Sequence, residues 1–315
     1  MKTVVTGGAG FIGSNLVKRL VELGHEVVVL DNLCRGNKLD KNILDSIQLI
    51  VGDIRNENIV MEALNSCDLI FHFAAVLGVD IVADNPVETM DTEFMGLKNI
   101  AKGTIVNGIE KIIYASTSGV YGKSAIEKAV DEEFNVDPST SYSIAKRFNE
   151  IYLKSLYQEK GVQSISLRFF NVYGTNQDNR MVIPRFFEQA INNTPLTVYG
   201  DGNQTRDFTY IDDVTEAIIR TAQLVEGCEI MNVSNNREYT IKDVAEEIVK
   251  ICDSKSEITF INPPEGRYDF EVERRFGSSE KLKGKIGFNP NTSIKMGLEK
   301  TYEVLKNENS DLINK

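Results

Sequence analysis

Lys2-Thr3-Val4-Val5-Thr6-Gly7-Gly8-Ala9-Gly10-Phe11-Ile12-Gly13 is the stretch that decides the fold. A β-branched apolar run ends at a cluster of glycines, and a helical pattern, Ile12–Leu23, begins at once. Gly7, Gly10 and Gly13 stand at G-x-x-G-x-x-G spacing. Glycines so placed let the backbone turn tightly and approach a pyrophosphate, which sits on a helix N-terminus near Phe11 and Ile12. The next apolar run, Val27–Leu30, ends at Asp31. A carboxylate there accepts hydrogen bonds from a ribose diol and repels a 2′-phosphate, so the pattern points to NAD rather than NADP.

Outward from this turn, short apolar runs alternate with helical stretches. Thr3–Thr6, Glu26–Leu30, Gln48–Val51, Leu69–Phe73, Lys111–Ala115 and Ser164–Arg168 read as buried parallel strands. Ile12–Leu23, Ile59–Leu64, Thr89–Asn107 and Tyr142–Glu159 read as helices between them. This alternation predicts an α/β protein, a doubly wound parallel sheet of Rossmann type with a smaller C-terminal α/β substrate domain. Leu196–Tyr199 reads as a further strand, and Asp213–Leu224 and Ile230–Val233 as a helix and strand returning to the main sheet. Helices are expected near Ile241–Ile251 and Ile294–Leu305, and a frayed polar tail over Asn307–Lys315. The expected division is residues 1–171 with 209–234 for the cofactor, and 172–208 with 235–315 for the substrate.

Bulk properties narrow the function. The 315 residues are 42% hydrophobic and 26% charged, ordinary for a soluble globular protein. No apolar run is long enough to span a bilayer, and the N-terminal strand pattern has no signal-peptide core, so a cytoplasmic protein is expected. Four scattered cysteines suit a reducing compartment, and with only two histidines a metal site has little material. A net charge of −11 argues against nucleic acid or an anionic membrane as partner. An anionic ligand would need dedicated arginines.

Chemistry enters with Tyr142-Ser143-Ile144-Ala145-Lys146. Tyr142 and Lys146 are four apart and share a helix face. A neighbouring ammonium, aided by an oxidised nicotinamide, is expected to lower the phenol pKa from about 10 and make Tyr142 a general base. Upstream, Ser116-Thr117-Ser118 ends the fifth strand and offers hydroxyls to a substrate oxygen beside Tyr142. Phe73-Ala74-Ala75 ends the fourth strand with small residues that admit a flat dinucleotide. Asp53-Ile54 reads either as a cap for the adenine amino group or as a strand-end turn. His72 reads as a core histidine.

On these residues the chain resembles the extended short-chain dehydrogenase/reductases, specifically the NAD-dependent epimerase/dehydratase family acting on nucleotide sugars. The likeness runs through Thr6–Gly13, Asp31-Asn32-Leu33, Gly52-Asp53-Ile54, His72–Ala75, Ser116–Gly122 and Tyr142–Lys146. It continues through Arg168–Gly174, Val182–Phe186 and Gly200–Phe208. The resemblance implies Tyr142 as base, Lys146 as its ribose-binding partner, and Thr117, less so Ser118, on the sugar 4-oxygen. It implies Asn32, Ser116 and Phe169 beside the cofactor. On the substrate side it implies Asn171 at the diphosphate, Arg206 on a phosphate, and Val182, Thr197 and Tyr199 nearby. Arg267 and Glu271 are assigned to the nucleotide, or to a solvated loop, because Gly266–Ser278 departs from the family's late substrate segment. A second departure is Ser118-Gly119. Dehydratases of the family usually carry Asp-Glu there and decarboxylases Ser-Glu.

The expectation is therefore an NAD-dependent epimerase inverting the 4-hydroxyl of a UDP-linked sugar. A 4,6-dehydratase, decarboxylase or reductase on the same scaffold stays open, as does an inactive NAD-sensing protein. The apolar stripes of Thr89–Asn107 and Tyr142–Glu159 serve either a homodimer or the core.

Overall fold

The computed structural model describes residues 1–76, 78–123, 128–262 and 273–313. Seven parallel strands form the main sheet, in the order Cys228–Val233, Gln163–Phe169, Lys111–Thr117, Leu69–His72, Lys2–Thr6, Glu26–Asp31, Gln48–Val51. The chain winds one way from Lys2–Thr6 through Gln48–Val51, then the other way from Leu69–His72. The two windings part between Lys2–Thr6 and Leu69–His72, so a crevice opens at their carboxyl ends.

The strands are buried on both faces because helices cover both. Leu16, Val17 and Leu20 of Phe11–Glu22 join Val214, Ala217 and Ile218 of Ile211–Leu224 under one face. Leu97, Ile100 and Ala101 of Pro86–Asn107 join Leu153 and Leu156 of Ser141–Lys160 under the other. The expected sheet is present, with strand ends moved by one or two residues. Cys228–Val233 does return to it, beside Gln163–Phe169.

A third core gathers Phe186, Phe187, Val198, Tyr210, Ile248 and Leu298. Around it lie the helices Val182–Ile191, Ile241–Ile251 and Ile294–Ile313 and the pair Leu196–Tyr199 with Ile258–Ile261. A small sheet, Tyr239–Thr240, Thr205–Arg206 and Arg274–Arg275, stands nearby. One expectation fails at the end of the chain. Helix continues to Ile313 where fraying was expected. No Gly or Pro between Leu298 and Ile313 breaks the helix.

Candidate functional site

The glycine turn is fixed by contacts that leave no room for a side chain. Gly7 has φ +70°, and a Cβ there would lie 2.6 Å from the Ala74 nitrogen. A Cβ on Gly13 would collide with the Gly7 carbonyl oxygen. The Gly7 N–H donates to Leu30 O (2.9 Å), and Gly10 caps the helix Phe11–Glu22. Asp31 braces the turn: its Oδ2 accepts from Ala9 N–H (3.0 Å) and its Oδ1 from Leu33 N–H (2.8 Å). Asn32 is exposed and accepts from Cys34 N–H. These helix-start amides and the close Ala74 backbone form a cradle with the shape and polarity a dinucleotide pyrophosphate requires.

Thr6 ties the adjoining strand end to it. Its hydroxyl accepts from Phe73 and Ala74 N–H (3.2 Å each) and meets His72 Nδ1 at 2.7 Å. His72 is a core histidine, as expected. It stacks on Tyr114 at 5.7 Å, and burial drives its pKa down to about 3, so it is neutral. Ala75 follows in the same half-buried loop, and Phe73 meets Phe169 edge-on at 6.2 Å. Asp53 and the buried Ile54 sit beyond Gln48–Val51. Both Asp53 carboxylate oxygens accept from the Arg55 guanidinium, which also pairs with Glu88.

The residues expected to carry acid–base chemistry meet at the carboxyl end of Lys111–Thr117. Thr140 and Ser143 form a capping box that starts Ser141–Lys160 and sets Tyr142 in its first turn. Thr117 turns its hydroxyl toward the Tyr142 phenol, and Lys146 Nζ sits 5.5 Å from that ring's centre. Strand alternation sends Ser116 the other way, where its hydroxyl donates to Glu150 at 2.6 Å. Ser118 is buried in the short helical turn Ser118–Tyr121. A Cβ on Gly119 would meet Thr117 Oγ1 at 3.3 Å and Ser143 Cβ at 3.4 Å, a tight fit.

Glu93 is the residue that sequence reasoning missed. Its Oε2 lies 3.1 Å from Lys146 Nζ, with the two side chains 0% and 1% exposed. Tyr114 OH approaches the same oxygen at 3.4 Å, and Asn149 Nδ2 donates to Tyr114 OH at 2.9 Å. The expectation for Tyr142 includes an oxidised nicotinamide, and without it the direction is the opposite. The Tyr142 phenol is pushed above the usual tyrosine range, first by burial and then by the Glu93 charge, with Thr117 opposing. The Lys146 ammonium is already matched by a carboxylate and does not lower it in the protein alone. The available signal for Glu93 was its place on the helix's apolar stripe, three and four residues before Gly96 and Leu97, where a glutamate needs a partner that sequence does not name.

The substrate-side candidates gather around two arginines. Arg206 is half-buried on Thr205–Arg206 and lies beside Arg275 in parallel register. Arg275 donates to Gly122 O at 2.6 Å. Burial and then Arg206 press its pKa down to about 10. Arg185 unites Thr197 and Tyr199: it donates to Thr197 O at 3.3 Å and lies 5.1 Å from the Tyr199 ring. Val182 begins the same helix, and Asn171 is exposed after Gln163–Phe169. Arg267 and Glu271 lie outside the described residues. Neither Arg185 nor Arg275 was singled out from sequence.

With this geometry in hand, comparison with known proteins places the chain. The model of the NAD dependent epimerase/dehydratase family matches residues 3–234, and the chain belongs to that family. It is 35% identical to a UDP-N-acetyl-alpha-D-glucosaminuronate decarboxylase of Bacillus cytotoxicus, covering 98% of this chain and 99% of that protein. Among solved structures it resembles a UDP-glucose 4-epimerase with UDP-glucose from Thermotoga maritima. There the TM-score is 0.91 at 30% identity, over 98% of this chain and 99% of that one. A Thermus thermophilus UDP-glucose 4-epimerase in complex with NAD gives a TM-score of 0.88 at 29% identity, over 97% and 99%. The protein is an enzyme of this NAD-dependent family. No helix among the described residues is long and apolar enough to cross a membrane.

Proposed function

We propose that this enzyme is an NAD-dependent 4-epimerase of a UDP-linked sugar. The observation that carries the reading is Thr117, Tyr142 and Lys146 meeting at one strand end, with Gly119 rather than a carboxylic acid beside them. An inversion confined to the 4-position needs one base and no second acid. Gly7, Gly10, Phe11, Ile12 and Gly13 would hold the pyrophosphate and Asp31 a ribose. Asp53, Ile54 and Asn32 would line the adenosine end, and Phe73, Ala74, Ala75 and Phe169 the nicotinamide end, while Ser116, expected there, turns its hydroxyl to Glu150 instead. When bound, NAD supplies a reversible hydride acceptor for sugar C4. Tyr142 takes the 4-hydroxyl proton and later returns it to the inverted alcohol. Thr117 hydrogen-bonds the 4-oxygen, with Ser118 behind it, and Lys146 binds a ribose hydroxyl. Arg206 and Asn171 hold the diphosphate, while Val182, Thr197 and Tyr199 line the nucleotide. That remote anchorage keeps the 4-keto sugar bound while it turns.

In this reading residues 1–171 with 209–234 carry NAD, and 172–208 with 235–315 carry the sugar nucleotide. The protein works in the cytoplasm, in keeping with its four free cysteines. It pairs with itself through Pro86–Asn107 and Ser141–Lys160, which expose Met95, Val106, Ile144, Phe148 and Ile151.

A second reading, decarboxylation of a UDP-linked uronic acid, is favoured by Arg275. This arginine is tied to the end of the loop that begins at Thr117, where its charge would suit a sugar carboxylate. One experiment separates the two. The NAD-loaded enzyme is offered UDP-glucose, UDP-N-acetylglucosamine and the two corresponding uronic acids, with products identified by NMR. Interconversion of 4-epimers without loss of carbon dioxide is the expected result. Release of carbon dioxide from a uronate replaces it with the second reading. Stoichiometric consumption of added NADH would point to a reductase, and a binder without turnover to a sensor.

A further inference from the structure

Behind Tyr142, among the described residues, the structure holds a set of ionisable groups that a tyrosine–lysine pair alone does not need, with Glu150 acting on it through Tyr114. Glu93 stands in the middle of Pro86–Asn107, fully buried, and its Oε1 has no protein partner. Facing it are Lys146 at 3.1 Å, Tyr114 at 3.4 Å, and Asn149, whose Nδ2 donates to Glu93 O at 3.3 Å. The backbone of Val76 also approaches its carboxylate, and the Tyr142 phenol feels its charge. His72 stacks on Tyr114 at the edge of the group and is neutral. Lys146 is thus the one cation among these groups, facing two acidic claimants, the Glu93 carboxyl and the Tyr142 phenol.

We propose that Glu93 is a positioning residue whose carboxylate anchors the Lys146 ammonium and sets how readily Tyr142 yields its proton, so that the acid–base unit is Tyr142–Lys146–Glu93. This inference rests on Tyr142 being the base, as argued under the proposed function. An ammonium shared with a carboxylate stabilises a phenolate less than one facing the phenol alone. The carboxylate also repels the phenolate directly. Burial pushes the Glu93 pKa up, with Lys146 and Tyr114 opposing, so its negative charge is held mainly by Lys146. A neutral residue at position 93 would remove that repulsion and leave Lys146 facing the phenol alone.

The test is an ultraviolet titration of tyrosinate in the NAD-loaded enzyme between about pH 6 and 10, the range below ordinary tyrosine ionisation. The Tyr142→Phe spectrum is subtracted to isolate residue 142. In Glu93→Gln the Tyr142 midpoint should fall by about one unit or more, the size typical of removing a close charge. Glu93→Asp keeps the charge and should titrate close to wild type. Glu93→Ala is a second neutral variant should the glutamine form fail to fold, with the same downward shift expected. Titrations of wild type and the neutral variants that coincide, or an aspartate variant that shifts as far as they do, would overturn the proposal. Turnover on the sugar panel separates the two failures. Full activity in Tyr142→Phe removes the base itself, whereas a dead Tyr142→Phe with unmoved titrations removes only Glu93.

Discussion

Gly13 shows how little latitude the cofactor turn leaves. A methyl group there would overlap the Gly7 carbonyl oxygen, which is backbone and cannot swing aside. Gly13→Ala should lower stability by about 1–3 kcal/mol and strip most bound NAD, read by thermal melting and by cofactor content after purification. Gly24, with no atom within 4 Å of its notional Cβ but φ +77°, offers the contrast. Its alanine variant should lose backbone comfort, about 1 kcal/mol, and keep its NAD. The glycine spacing and the Tyr142–Lys146 spacing were legible because each is local. Glu93 was not, since its partner Lys146 lies on another helix and only packing brings them together. Ser116 illustrates the same limit: a hydroxyl loop is visible in sequence, but strand alternation decides which hydroxyls face Tyr142.

Whole elements are held in place by buried polar groups as much as by apolar ones. Glu150 of Ser141–Lys160 accepts from Arg168 of the neighbouring strand at 2.8 Å through both oxygens, with both residues buried. This clamps the helix that carries Tyr142 against the sheet. Glu150→Gln leaves a buried guanidinium short of its counter-charge and should cost about 3–5 kcal/mol in urea unfolding. The exposed Lys102–Glu57 pair, broken likewise by Glu57→Gln, should cost under about 1 kcal/mol. His72, between two central strands, gives a pH signature. Its pKa is about 3 in the fold and about 6.5 in the unfolded chain. Between those values the unfolded chain binds more protons, so this contribution is full above about pH 6.5 and is lost as pH falls toward 3. Urea unfolding from about pH 7 to 5 should therefore show a shallower loss in His72→Gln than in wild type.

At the scale of the molecule, one face is unusually apolar for a surface. Val106 is 62% exposed, Ile151 54% and Phe148 47%, all on the two helices that pack together beneath the site. Phe94 and Phe148 meet there at 4.5 Å with their rings tilted by 57°, and in the proposed dimer they would lie at its centre. Light scattering should give twice the 35.2 kDa chain mass, and Phe148→Asp should return it to one. A monomeric wild type would remove the dimer.

The amino-acid order alone determined the winding of the sheet, the cofactor turn and the Tyr142–Lys146 pair. Each is written in residues close along the chain, as runs of apolar strands, glycine spacing or helical periodicity. Tertiary structure alone decided that Lys146 answers to Glu93, that Ser116 serves the Glu150–Arg168 clamp, that Arg185 meets Thr197 and Tyr199, and that Arg275 lies beside Arg206. These are meetings of distant segments inside a low-dielectric interior, where a charge takes whatever partner packing supplies.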